Sequence, residues 1–228
     1  MRSSVPSLWS FNGGYVDTAG FLALQGLFTA HVTGNFVTFG AAIAHETSGA
    51  VAKLLALPVF CIVIALTRLL AHRLPLLGLP VLTSLVVLKI ALLTAGAVFA
   101  IAWGPFGNGD SASALVTGMT LVAAMAIQNG AHRSHLPKTP PSTIMTGTST
   151  QIMIDLADLS AGRFTPDERA VALARLRTMS VSVASFALGC SVAALIFVAF
   201  DMKVFLLPPL IGVIALLVIS RSTNLEGG

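Results

Sequence analysis

AHVTGNFVTFGAAIA (residues 30–44) and TIMTGTSTQIMIDLA (residues 143–157) are apolar stretches, each entered through a polar Thr-Gly step. At an offset of 113 residues, Thr33-Gly34 falls on Thr146-Gly147 and Ala44 on Ala157. Upstream, Val16-Asp17-Thr18 falls on Ile127-Gln128-Asn129 at an offset of 111, so the second copy carries two extra loop residues. Both stretches are short for a bilayer crossing, which takes about 20 apolar residues. Each holds the same place in a series of longer apolar runs, the pattern of an internal repeat.

The rest of the chain sets that pair in a membrane. Of 228 residues, 55% are hydrophobic and 10% charged, with a mean hydropathy of +0.89. Soluble domains carry about 25% charged residues. A soluble fold this poor in charge would expose large apolar patches. The net charge of +4 comes from scarcity of acids and not from a basic stripe, so nucleic-acid binding and disorder are not expected. Cys61 and Cys190 lie in apolar runs and are expected to be buried helix residues, with no disulfide framework or Cys-rich metal site. The start, MRSSVPSLWSFNGGYVDTAG, has Asn, Gly and Asp where a signal peptide needs a smooth apolar core, so it is expected to stay in the mature chain.

Eight segments follow. The first series occupies about 9–28, 30–46, 51–72 (with Pro58 as an expected kink) and 80–103, closed by Trp103-Gly104-Pro105. The second occupies about 112–131, 142–160, 166–200 and 204–220, the last broken early by Pro208-Pro209. Thr165-Pro166-Asp167-Glu168 reads as a capping box with Pro at the first helical position. A helix from 166 to 200 would be about 52 Å long at 1.5 Å per residue, so its charged start should stand outside the lipid.

Charge then chooses the topology. If all eight segments cross, seven basic residues lie inside and five outside. If the two short segments enter and return on one side, six helices cross. The inner side then collects Arg2, Arg68, Arg73, Arg133, Lys138, Arg163, Arg169, Arg175, Arg177 and Arg221. Only Lys53 and Lys203 remain outside, and Lys89 lies within a helix. The second distribution obeys the positive-inside rule. The expected fold is therefore all-α, with six transmembrane helices and two re-entrant half-helices in a single membrane domain, 1–228. Its first repeat is 8–105 and its second, inverted by parity, is 112–222. Both termini are expected in the cytoplasm, and the location is the cell inner membrane.

In that arrangement the two Thr-Gly turns approach each other near the midplane. The unpaired N–H groups at the half-helix starts, Asn35 and Thr148, would favour an anion or a carboxylate. The candidate substrate-binding residues are Thr33, Gly34, Asn35, Thr146, Gly147 and Thr148, with Gln128 and Asn129 as polar wall. Asp17 and Lys89 are intramembrane charges that either pair with each other or serve coupling, and His31 is a candidate proton acceptor. Gly13, Gly14, Gly20 and Gly130 should allow close helix packing. Asp155-Leu-Ala-Asp158 looks like half of an acidic metal motif but has no second acidic run, so a solvated or capping role is expected. His132 and His135 read as part of a positive-inside loop. No nucleophile elbow, P-loop or HExxH pattern is present.

The stretch GGYVDTAGFLALQGLFTAHVTGNFVTFGAA, followed by AIQNGAH and IMTGT, resembles the YoaK-like family of bacterial inner-membrane proteins. That family is a domain of unknown function, and the resemblance covers nearly the whole chain. It implies a multi-pass membrane protein of about this length, described in places as a small-molecule transporter. It carries no substrate. The leading expectation is a transporter or facilitator of a small polar, anionic or zwitterionic solute, bound between the two turns. An ion or solute channel of the same fold, and a non-catalytic accessory membrane subunit, are the alternatives. No enzymatic activity, cofactor, metal or nucleic-acid partner is expected. The expected partners are the solute and the bilayer, with a homo-oligomer left open.

Overall fold

The computed structural model describes residues 4–224, and Arg2 lies outside that range. The chain forms α1 (Ser4–Ala23), α2 (Asn35–Ala44, preceded by a 3₁₀ turn Val32–Gly34), α3 (Ala50–Arg73) and α4 (Val81–Trp103). It continues through α5 (Ala112–His135), α6 (Met145–Ser160), α7 (Pro166–Phe200) and α8 (Leu207–Asn224). A 3₁₀ segment, Asp201–Leu206, joins the last two, and no strand occurs among the described residues. Four stretches are long and apolar enough to cross a membrane: Ala50–Leu77, Val81–Trp103, Ala112–His135 and Pro166–Arg221. The last includes both α7 and α8. The chain is a helical membrane protein.

Local chemistry sets several boundaries. Thr165 accepts a hydrogen bond from the Glu168 N–H at 3.4 Å, and the Glu168 carboxylate accepts from the Thr165 N–H at 2.9 Å. That reciprocal pair is the capping box, with Pro166 behind it. Ser111 caps α5 by accepting from Ala114 N–H. α3 runs unbroken through Pro58. α1 departs most from the sequence expectation, starting earlier and ending at Ala23 rather than near residue 28. The apolar run continues past Ala23, but Gln25 and Gly26 take positive φ (53° and 82°) and turn the chain out of the helix. Hydropathy does not register that break. At α8, Pro208 and Pro209 sit in the first turn, where a missing N–H costs nothing, and so they start the helix rather than interrupt it.

Packing follows a regular scheme. α1 packs on α7 and α3 on α5; α4 packs on α5 and α8 on α1; α2 packs on α3 and α6 on α7. Each of these six pairings has a counterpart with the two halves of the chain exchanged. The α1–α7 contact is the closest, because Gly14 lies against the Phe186 carbonyl and Gly189 against the Phe11 carbonyl. A Cβ at either place would overlap backbone, which is how small residues let membrane helices approach.

Two apolar clusters mark the two ends. One joins Val5, Trp9, Leu74, Leu85, Ile127 and Ile219, from the start of α1, the end of α3, the start of α4, the end of α5 and the end of α8. The other joins Leu24, Leu27, Ala52, Ala97, Phe106 and Val204. Helices α1, α3, α4, α5 and α8 thus run between the same two ends. Arg68, Arg73, Arg133, Lys138, Arg163, Arg169, Arg175, Arg177 and Arg221 belong to the first end, and Lys53 and Lys203 to the second.

Hydrogen bonds tie the loops at the second end together. The Asp110 carboxylate accepts from Gly49 N–H at 2.9 Å and Ala52 N–H at 3.0 Å. Gly109 N–H donates to Ser48 Oγ at 3.1 Å, and Gln25 Nε2 donates to the Phe106 carbonyl at 2.9 Å. Tyr15 Oη donates to the Val204 carbonyl at 2.8 Å.

Candidate functional site: two lead-in segments and the cavity between them

The segment that leads into α2 has backbone N–H groups with no helical partner, and buried N–H groups must find one. Asp17, 4% exposed, supplies it. Its Oδ1 accepts from Thr29 N–H at 2.8 Å, Ala30 N–H at 2.7 Å and His31 N–H at 3.3 Å. Asn35 closes the same loop, accepting from Phe28 N–H at 2.9 Å and donating to the Phe28 carbonyl at 2.7 Å. Both Asn35 amide atoms are therefore spent on holding the chain. Asp17 and Lys89 do not pair: each has its own partners.

The segment that leads into α6 is held at equivalent positions by different groups. Gln128 Nε2 donates to Ser142 Oγ at 3.1 Å and to the Trp9 carbonyl at 3.0 Å. Its Oε1 accepts from Lys89 Nζ at 2.5 Å. Thr143 Oγ1 donates to Asn129 Oδ1 at 2.9 Å. Asp17 and Thr29 thus correspond to Gln128 and Ser142 under the same two offsets that align the sequences.

Both lead-in segments rest on α1. A Cβ at Gly20 would lie 2.7 Å from Thr29 Cγ2, and one at Gly13 would lie 2.6 Å from the Ser142 carbonyl oxygen. Seven residues of helix bring positions back to nearly the same face, about 10 Å apart along the axis. One face of one helix therefore seats both segments.

Between them lies a cavity of about 290 Å³, bounded by His31, Thr33, Cys61, Asn129 and Thr143 among others. A wider crevice of about 530 Å³ shares Phe60, Ile64, Asn129 and Ile144 with it and reaches Arg68 and Arg133 at the basic end. Cys61, expected to be buried, is exposed, because α3 turns that side outward.

The other candidate residues fall elsewhere. α6 begins at Met145, so Thr146, Gly147 and Thr148 sit in its first turn. Thr146 lines a separate shallow groove with Ser149 and Thr150, Gly147 is exposed and Thr148 is buried. Gly34 is the N-cap of α2 in an ordinary right-handed conformation. None of these four borders the shared cavity.

Three features were not read from the sequence. Lys89, 1% exposed, has its ammonium 5.5 Å from the Trp9 ring centroid, which favours a cation. His132 is buried rather than part of a solvated loop. Its ring lies 5.6 Å from that of Trp9, and Nε2 meets Thr139 Oγ1 at 2.9 Å. Among the described residues, both amide atoms of buried Asn12 find no hydrogen-bond partner, nor do Ser10 Oγ, Trp9 Nε1 and His132 Nδ1. The SFNGG context offers a helix-packing signal and hides the polar one.

Asp155 is also buried, against the expectation of a solvated or capping carboxylate. It receives Arg175 Nε at 2.8 Å and Nη2 at 2.6 Å, and Gln151 Nε2 at 2.8 Å. The guanidinium holds its carboxyl below the usual carboxylate range. This two-point contact, a fork matched to a carboxylate, pins α6 to α7. Among the described residues no cluster of three or more His, Cys, Asp or Glu is arranged to hold a metal.

Fold and site together define a helical membrane protein in which two short helices are led in by tied loops around a common cavity. The chain belongs to the family described as protein of unknown function (DUF1275), which matches residues 5–219. No curated protein matches it, and no solved structure matches it.

Proposed function

We propose that the protein is a carrier for a small polar solute, anionic or zwitterionic, working by alternating access. The observation that carries the reading is the cavity bounded by both lead-in segments. It adjoins a crevice at the basic end, while the opposite end is tied by the Asp110, Ser48 and Gln25 hydrogen bonds. A path open at one end and bonded shut at the other suits a carrier, whereas a channel needs a continuous wet path. The tied end would be the outer one, by the positive-inside rule.

In this reading α1, α3, α4, α5, α7 and α8 cross the bilayer, and α2 and α6 are re-entrant. The paired packing scheme and the matched Asp17–Thr29 and Gln128–Ser142 ties support two inverted repeats, with rocking of one against the other as the transport motion. Both termini would be cytoplasmic and the protein would reside in the inner membrane. The YoaK-like resemblance fits the same picture. His31, Thr33, Asn129 and Thr143 would contact the solute, and no chemical transformation is invoked.

Cys61 offers a native reporter. In a Cys190→Ala background in sealed vesicles, a charged methanethiosulfonate should modify Cys61 from the basic side and not from the other. Modification from neither side means a dry cavity and rejects the carrier. Equal modification from both sides favours a channel.

A further inference from the structure

Resting on the carrier reading, we infer that the crevice binds an organic anion with an apolar body. The head, a carboxylate or phosphate, meets Arg68 and Arg133, and the body lies against Phe60, Ile64, Leu85 and Ile144. Arg68 is on α3 and Arg133 on α5, two helices packed together, and both side chains line one concave space. Neither forms an ion pair with an acid among the described residues, while Arg175 is fully engaged by Asp155. A general positive-inside bias explains basic residues on convex loops, such as Arg163. It does not explain two unengaged guanidiniums converging on a crevice whose wall is continuous with the inner cavity.

The body of the crevice is equally telling. Apolar surface makes most of its wall, and Thr67, Asn129, Ser134 and His135 supply the polar remainder beside the two arginines. A small inorganic anion would leave that apolar wall uncovered, and a neutral apolar solute would leave the guanidiniums unused. A volume of about 530 Å³ falls within the range usual for sites that enclose a small organic molecule. Arginine suits the head because its planar fork matches carboxylate and phosphate oxygens. The same chemistry, an acidic head on an apolar body, occurs in soluble organic anions and in anionic lipids.

The test uses the full chain in nanodiscs of phosphatidylcholine. A saturable rise in melting temperature is expected with 4-phenylbutyrate, none with 4-phenylbutanol, and none with inorganic phosphate alone. Arg68→Gln with Arg133→Gln should weaken 4-phenylbutyrate at least tenfold, and Arg169→Gln should not. Where the double Gln variant fails to fold, Arg133→Lys provides the comparison, since it keeps the charge and loses the fork. A second arm replaces the soluble anion with phosphatidylglycerol in the disc. A rise confined to that arm, and lost on arginine replacement, assigns the site to lipid head groups. A shift independent of the arginines in both arms, or a response to phosphate equal to that of 4-phenylbutyrate, overturns the inference. Cys61 separates the two claims. If it is modified from the basic side but 4-phenylbutyrate leaves the melting temperature unchanged, the anion site fails and the carrier stands. If it cannot be reached from that side, the carrier itself fails.

Discussion

The two lead-in segments occupy matching places and are held by unlike chemistry. The one before α2 is gripped by a carboxylate that takes three backbone N–H groups. The one before α6 is held by a neutral amide that also bonds Lys89 on α4 and the Trp9 carbonyl on α1. Charge-assisted bonds to backbone are the stronger kind. The first segment is therefore a fixed rim. The second is a junction shared among three elements, and a shift of α4 or α1 is felt there directly.

The sharpest way to break this contrast is at Asp17. Asp17→Ala leaves the N–H groups of buried Thr29 and Ala30, and that of exposed His31, without this acceptor, and each buried one costs about 1–3 kcal/mol. The expected result is a protein that barely survives purification, measured by thermal unfolding in detergent. Asp17→Asn keeps an acceptor oxygen and should lose about half as much.

At the second segment, Gln128→Leu should cost about 2 kcal/mol, since Ser142 and Lys89 both lose a partner. Lys89→Met in that background should restore part of the loss, because the stranded ammonium is then gone. A double-mutant cycle reads the coupling. Equal sensitivity at Asp17 and Gln128 would erase the distinction drawn between the segments.

The smallest effect belongs to the Asp155–Arg175 pair, in which the arginine side chain is 44% exposed. Solvent screening there reduces the expected cost of Asp155→Asn to about 1 kcal/mol. The folded carboxyl is shifted downward. Its contribution is therefore complete above the unfolded value, about pH 3.9, and declines only as pH falls through the lower folded value. Between pH 5 and 8 the wild type and Asp155→Asn should differ by a constant amount in melting temperature.

Much of the architecture was legible in residue patterns. The capping box at Thr165 and Glu168, the stop at Gly104 and the extents of α3 and α4 follow from local rules that the fold obeys. The candidate site was legible in part. Asp17 stands out as a costly charge, but its partners are backbone groups, which any residue could supply. Lys89 and Gln128 are 39 residues apart, and nothing local joins them. Thr146-Gly147 matches Thr33-Gly34 in sequence and position, yet the first copy forms a 3₁₀ turn and the second a regular helical turn. Val32 precedes the first and Met145 the second, and the unbranched side chain favours the helix. The match located the break in each half but not the atoms that border the cavity.

The 35 residues of α7 make a shaft about 52 Å long at 1.5 Å per residue. Its charged opening turns are mostly exposed, and Arg175 within them holds Asp155 of α6. A spin label or fluorophore on exposed Val171 would therefore ride on a handle attached to one of the two short helices. Such a handle lets its movement be followed from the water, with every residue around the central chamber left untouched.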